Sequence, residues 1–410
     1  MRIVLYTHPA FFEPALSLVA ALASSAEVHL VLEVNDRNQR IASFEASSVA
    51  FPPGLMAADP VLAPLYAPTV RDMWRLAATF TLVSHGGLRS RDPRSVRITG
   101  QLLRWVRDLN PDVLHVDDVD VSPRLALGLA LTRSPCPLLL GCHDPDPHSG
   151  ARHWWRKSLA RTLAFPRADA VLVHHESGRK ALLDRHRSLR ANVFVVRLAS
   201  YNFLAHLAPA EHAAVSDAGP VVLFFGRISP YKGIELLFRA APLVAHAIPQ
   251  VRFLVAGEPV GGFTPPAAPP LPGAATIETN YDYIANTEIA SFFGRATVSV
   301  LPYTDASQSG VLLTSYGFGC PVVATAVGGI PEYVEEGVTG LLVPPGDHAA
   351  LAAAVIRCLQ DRDLLSRMRD GVAHATRTDL SWQRVRSELL DVYAGLGEAP
   401  GRRRVGRRNR

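Results

Sequence analysis

The sequence predicts an α/β protein made of two doubly wound domains that face each other across a cleft. Three observations carry this expectation. The chain has 410 residues, more than a single hydrophobic core usually serves. Short apolar runs alternate with segments of helical period along most of its length, which is the rhythm of βαβ units on a parallel sheet. That rhythm breaks over 199–219 (ASYNFLAHLAPAEHAAVSDAG), where small and polar residues show no strand pattern, and then starts again.

In the first half the expected strands are RIVLY (2–6), EVHLVLEV (27–34), DVLHV (112–116), PLLLG (137–141), DAVLVH (169–174) and NVFVV (192–196). A helix is expected over 97–109, because Ile98, Leu102, Trp105 and Leu109 recur on one face. Segment 50–95 is rich in Pro, Ala and Gly and reads as an excursion holding one or two helices. The second series has strands VVLFF (221–225), RFLVA (252–256), ATIET (275–279), VSVLPY (298–303), PVVAT (321–325) and GLLVP (340–344). The proline-bearing insert 261–273 is expected to be a loop on the sheet's rim, and only helices follow Asp347. The expected organisation is a first domain over 1–199, a linker over 200–219 and a second domain over 220–375. A terminal helix over 376–398 would cross back to the first domain, ahead of an Arg-rich disordered tail over 399–410.

Apolar residues make up 48% and charged residues 19% of the chain, as in an ordinary globular protein. Cys136, Cys142, Cys320 and Cys358 form no CxxC pair, so they read as buried thiols in a reducing compartment. The net charge of +5 is modest and lies partly in GRRRVGRRNR (401–410). A solvated terminus is the plain reading of that tail; contact with anionic lipid head groups is the sharper one. Nucleic acid is not an expected partner, since no aromatic and basic residues interleave in a reading motif. No run of about eighteen apolar residues free of charge occurs, so no spanning helix is expected. Residues 1–6 read as a strand and Glu13 interrupts a would-be signal peptide. The expected location is therefore cytoplasmic, with a peripheral contact at the inner membrane face under the sharper reading of the tail.

Two segments carry the chemistry. GRISPYKG (226–233) follows strand 221–225. Gly226 permits a tight turn. Arg227 offers a planar fork of donors and Lys232 a point charge on a flexible stem, and both suit phosphate oxygens. Pro230 and Gly233 shape the loop and open a helix whose free amides favour anions. The spacing lacks the Walker pattern, so a P-loop is excluded. DASQSG (305–310) follows strand 298–303. Asp305 stands in the turn and Ser309 is a good N-cap. The amides of Gly310, Val311 and Leu312 would then point out of the helix start. Taken singly, a surface turn with solvated cations and a capping Asp are the ordinary alternatives.

With the sequel GCPVVAT, GGIPE and GVTGLLVPPGD, the chain over 220–360 resembles the retaining family 4 glycosyltransferases. That resemblance implies the GT-B architecture, a nucleotide-sugar held by the second domain and a glycan, lipid-linked or small-molecule acceptor held by the first. It implies that Arg227 and Lys232 are the diphosphate pair and that Ser309, Gly310, Val311 and Leu312 are the phosphate-facing turn. It implies that Asp305, one position out of register and one methylene shorter, stands for the first acid of the family's Glu-x7-Glu motif. Thr314 stands where the second acid would fall, and a Thr hydrogen-bonds more weakly than a carboxylate. Gly226, Glu258 and Tyr283 are expected to help line the donor pocket. His8-Pro9-Ala10-Phe11 replaces the family's Gly-Gly turn.

His143, in HDPDPH (143–148), follows strand 137–141 at the end that should face the cleft. The resemblance places it by the donor's anomeric carbon, with Asp144 orienting it or capping a turn. A structural hydrogen bond is the ordinary reading for a lone His. His148 is a weaker candidate, and no ligand set is completed, so neither a metal nor another cofactor is expected. Glu332 reads as an acid at the start of a short helix, and Trp154 and Trp155 read as core or interface residues ahead of stacking partners. Three rivals to a transferase stand: a non-catalytic GT-B partner that binds nucleotide-sugar, a nucleotide-sugar epimerase, and a phosphorylase, which would need a pyridoxal lysine site.

Overall fold

The structure is a computed structural model, and it describes residues 1–41, 43–90, 92–132, 134–145, 154–187, 189–206 and 219–397. His148, the Arg-rich tail and the side chains of Trp154 and Trp155 lie outside the described residues.

Strands β1 (Arg2–Thr7), β2 (Glu27–Val34), β5 (Gly54–Ala57), β6 (Thr79–Ser84), β7 (Val113–Val116), β8 (Leu138–Gly141), β9 (Ala170–Val173) and β10 (Asn192–Val195) form one sheet. A small hairpin, β3 (Arg40–Ile41) with β4 (Phe44–Glu45), lies between β2 and β5 in the chain. The sheet order is β10-β9-β8-β7-β1-β2-β6-β5, and each neighbouring pair is parallel apart from β5 on β6. The second sheet is parallel throughout. It joins β11 (Val221–Phe225), β12 (Arg252–Ala256), β13 (Thr276–Asn280), β14 (Val298–Leu301), β15 (Val322–Thr325) and β16 (Gly340–Val343) in the order β13-β12-β11-β14-β15-β16. In both sheets the chain order reverses beside the first strand of its series, and that is where open α/β sheets bind ligands. The two Rossmann-like domains of the expected α/β fold are thus present.

Most predicted strands appear within a residue or two of their expected bounds. Segment 50–95 departs from expectation. It holds helices Asp59–Leu62 and Pro68–Trp74, but also β5 and β6, which extend the sheet past β2. Thr79 and Thr81 dilute the apolar signal of β6, whose outer neighbour is the antiparallel edge strand β5. The helix expected over 97–109 begins earlier, at Pro93, because Asp92 caps it by accepting from the Arg94 amide at 2.8 Å. The four cysteines are buried free thiols.

The helix Trp382–Gly397 packs on helix Phe12–Leu22 and on β7 of the first domain. Its Trp382, Val385, Leu389 and Leu396 belong to one apolar cluster with Phe12, Leu16 and Val19. The Tyr393 hydroxyl meets His115 Nδ1 at 2.7 Å, so a buried polar pair fixes the register of that packing. Among the described residues no helix is long and apolar enough to cross a membrane.

Candidate active site

The motifs 226–233 and 305–312 meet at the C-terminal ends of β11 and β14. Gly226 has φ +104°, and a Cβ there would lie 2.8 Å from Val311 Cγ2. Gly233 has φ +70°, and a Cβ there would lie 1.9 Å from the Pro302 carbonyl oxygen. Both positions need glycine for backbone shape and for space. The Thr304 amide donates to the Tyr231 carbonyl at 2.9 Å and ties the two loops together. Glu258 is exposed at the end of β12, and its carbonyl accepts the Ile228 amide at 2.9 Å, beside the first loop.

Arg227 is exposed and Lys232 half-buried. The Lys232 ammonium lies 3.9 Å from the Tyr303 ring centroid and 5.3 Å from that of Tyr231. Burial, with a lesser contribution from the Arg227 charge, pushes the Lys232 amine down to about 7. An anion placed between Arg227 and Lys232 would restore the proton.

Ser309 caps helix Gly310–Gly317. Its hydroxyl accepts from the Leu312 amide at 3.2 Å and meets the Tyr303 hydroxyl at 3.2 Å. This corrects the expectation for Leu312, whose amide is taken by the cap; Gly310 and Val311 hold the outermost amides of the helix start. Asp305 is half-buried and carries charge close to Tyr231. The Thr314 hydroxyl is buried and donates to the Gly310 carbonyl at 2.9 Å, so it is bound back to its own helix. Tyr283 donates to Glu45 of the first domain at 2.6 Å, with the Arg40 guanidinium 3.5 Å above its ring. It is thus engaged by an inter-domain contact.

The first domain presents single residues from several strand ends. His143, two residues after β8, is buried; its ring stacks on Phe11 with centroids 4.0 Å apart. Its Nε2 lies 3.4 Å from Asp117 Oδ1, at the end of β7, and its Nδ1 lies 2.8 Å from Gln308 Nε2 of the second domain. Burial opposes protonation of His143. The hydrogen bond and charge of Asp117, with the charges of Asp118 and Asp144, more than offset it and hold the imidazole above its ordinary value. Asp117 is anchored in turn by the Thr7 hydroxyl at 2.8 Å.

Asp144 was expected to orient His143 or to cap a turn, and the structure gives the first of these roles to Asp117. Asp144 accepts from Lys157 at 2.8 Å and from the Ser307 hydroxyl of the second domain, and Asp117 is the acid on the ring. Arg161 braces this turn, forking onto Asp120 at 2.8 and 2.6 Å and donating to the Pro145 carbonyl at 3.1 Å. Glu332 also does more than begin a short helix. Its carboxylate accepts from the amides of Glu176 and Ser177 at 2.6 and 2.9 Å and from the Ser177 hydroxyl at 2.7 Å, capping a helix of the other domain.

Sequence reasoning missed Phe11, Asp117, Ser307 and Gln308 as contacts of the cleft. Asp117 was within reach, because it follows strand DVLHV just as His143 follows PLLLG. Among the described residues no cluster of His, Cys, Asp and Glu is arranged to hold a metal ion.

Comparison with known proteins bears on the family and the fold. Residues 15–198 match the family model described as Glycosyltransferase Family 4, and residues 219–361 the model described as Glycosyl transferases group 1. The alpha-D-kanosaminyltransferase of Streptomyces kanamyceticus is 29% identical over 275 residues, which is 65% of this chain and 68% of that protein. The D-inositol 3-phosphate glycosyltransferase of Mycobacterium leprae strain Br4923 is 29% identical over 251 residues, covering 58% of this chain and 57% of the relative. The chain thus spans little more than half the length of the latter. The structure of Anabaena Alr3699/HepE in complex with UDP-glucose superposes with a TM-score of 0.65 at 15% identity, covering 96% of this chain and all of the other (100%). Sucrose-phosphate synthase from Thermosynechococcus elongatus gives a TM-score of 0.66 at 19% identity, covering 97% and 99%. At those identities the structures establish the GT-B fold. Matched in both halves, the chain belongs to the family 4 glycosyltransferases, enzymes that move a glycosyl group from a nucleotide-sugar to an acceptor.

Proposed function

We propose that the chain transfers a sugar from a nucleotide-diphosphate-sugar to an acceptor with retention of anomeric configuration. The diphosphate lies against Arg227, Lys232 and the amides of Gly310 and Val311. Asp305 accepts hydroxyls of the donor sugar. His143 lines the anomeric side, and the acceptor enters from the first domain. One observation carries this reading. Loops 226–233 and 302–310 are bound to each other, and the second is seated on His143 and Asp144. The cation-bearing loop, the helix start and the imidazole are thus linked through one chain of contacts, which supports the reading.

As the glycosidic bond breaks, negative charge grows on the leaving diphosphate. Fixed cations and amides stabilise that charge more in the transition state than in the ground state, which is the condition for catalysis. The sugar carbon acquires oxocarbenium character as the bond lengthens. The acceptor hydroxyl attacks from the leaving-group face and gives its proton to the departing phosphate oxygen, so no separate protein base is required. Arg227 and Lys232 supply the positive charge that a divalent ion supplies in other transferases.

Nucleoside diphosphate release from a panel of nucleotide-sugars tests the assignment. Arg227→Ala or Lys232→Ala with turnover intact on every accepted donor would refute it. The Arg-rich segment 401–410 adds a proposed contact with anionic membrane surface. Co-sedimentation with phosphatidylserine vesicles, lost when 401–410 is deleted, is the expected outcome; equal binding without it contradicts the contact.

A further inference from the structure

Gln308 stands between the two walls. It precedes Ser309, the cap of the phosphate-facing helix, and its amide nitrogen lies 2.8 Å from His143 Nδ1. Its other amide atom, Oε1, is buried and has no hydrogen-bond partner among the described residues. A buried carbonyl oxygen left unpaired is costly, and native structures rarely tolerate one without a reason. Neighbouring groups are committed elsewhere. The Ser307 hydroxyl donates to Asp144, the Ser309 hydroxyl caps its helix, and the Thr314 hydroxyl donates to Gly310.

We propose that Gln308 contacts the transferred sugar and positions His143 at the same time: one amide atom holds the imidazole at Nδ1 while the other hydrogen-bonds a hydroxyl of that sugar. The inference rests on the donor reading above. A sugar hydroxyl is the ligand group that suits either face of the amide: it donates to Oε1, which would repel a phosphate oxygen, and it can equally accept from the NH2. Amide orientation is assigned from the hydrogen-bond network, and the inference holds in both orientations. With a neutral ring, Nε2 donates to Nδ1 and Oε1 accepts from the sugar. With a protonated ring, Oε1 accepts the Nδ1 proton and the amide NH2 donates to the sugar oxygen. A glutamine serves both states by turning over. An acceptor is thereby returned to a cleft whose second family acid is replaced by the self-bonded Thr314.

The groups facing His143 are Asp117 and Asp118 beyond β7, His115 on β7, His174 after β9 and Asp144 on its own turn. Gln308 reaches the ring from the other domain. Removing it should therefore change the pH profile as well as the rate.

The test uses the full chain and the best donor from a panel of UDP-, GDP- and dTDP-sugars, with its monodeoxy analogues. The readout is nucleoside diphosphate release by donor hydrolysis, which needs no acceptor. Wild type should lose about 5- to 100-fold in kcat/KM when one particular hydroxyl is missing. Gln308→Met should fall by a similar factor on the parent donor and no longer discriminate at that hydroxyl. Its affinity for the nucleoside diphosphate alone should be unchanged, which also shows that it folds. Gln308→Glu keeps an acceptor oxygen but cannot donate to Nδ1. It should retain the discrimination and shift the pH profile. Undiminished discrimination in Gln308→Met, or its loss in Gln308→Glu, overturns the sugar contact while leaving the donor site standing. A wild type inert toward every nucleotide-sugar sinks the donor reading and this inference together.

Discussion

The wall proposed to hold the donor is made of two contiguous peptides, 226–233 and 305–312, whereas the opposite wall is assembled from single residues at separate strand ends. The donor wall supplies a glycine turn, two cations and a helix start within short stretches of chain. The other wall draws Phe11 from beyond β1, Asp117 from β7, His143 from β8 and His174 from β9. The contrast follows from the ligand chemistry assigned to each side. A diphosphate is recognised by backbone amides and clustered cations, which local sequence can supply. A reacting carbon and its acceptor are met by side chains fixed at particular points in space, and tertiary structure brings those together.

The largest expected effect breaks the donor wall. Lys232→Ala should lower kcat/KM by about 10²- to 10³-fold, the scale seen when one preorganised donor to a developing anion is removed. Turnover within a few-fold of wild type would show that the leaving charge is stabilised elsewhere. Loss at exposed Arg227 should be smaller than at Lys232, which is less accessible to solvent.

A change to the other wall should act through the imidazole. Asp117→Asn should lower the His143 titration midpoint, read by NMR of the ring, because Asp117 supplies the main contribution holding the proton on. The folded state binds that proton more tightly than the unfolded chain, so His143 contributes stability below the ordinary value of 6.5 and loses it as pH rises through the higher folded value. A midpoint unmoved by Asp117→Asn contradicts the pairing.

The smallest expected effect concerns the seam between the walls. Glu332→Ala removes three hydrogen bonds to the start of helix Glu176–Arg185 and should cost about 1 kcal/mol, the usual value of a cap. Thermal unfolding measures it. Burial raises the Glu332 carboxyl, but the bonds from Ser177 and Glu176 more than offset this and leave it below 4.5. Its contribution is therefore present above that value and disappears as pH falls through the lower folded one. An unchanged midpoint at neutral pH would mean that the seam is held by Tyr333, whose hydroxyl reaches the His174 carbonyl at 2.8 Å, and not by Glu332.

The same contrast explains what could be read from sequence. The parallel strands announce themselves as apolar runs, and the phosphate turns as Gly, Arg, Lys and Ser at fixed offsets. β5 and β6 were hidden because Thr79 and Thr81 break the apolar run of β6. Asp117 and Gln308 were hidden for another reason: each is ordinary in its own segment and gains meaning from a partner 26 or 165 residues away. Glu332 was read as a local helix-start acid because nothing nearby in sequence reveals the helix of the other domain that it caps.

Proton uptake on nucleoside diphosphate binding tests most directly whether both motifs face one diphosphate. The Lys232 amine stands at about 7 in the folded protein and 10.5 when unperturbed. Between those values the free enzyme lacks a proton that a bound diphosphate would restore. Titration calorimetry at about pH 8.5 in two buffers of different ionisation enthalpy should show uptake of about one proton by wild type and none by Lys232→Met. Equal affinity and equal proton uptake in the two proteins would contradict the account.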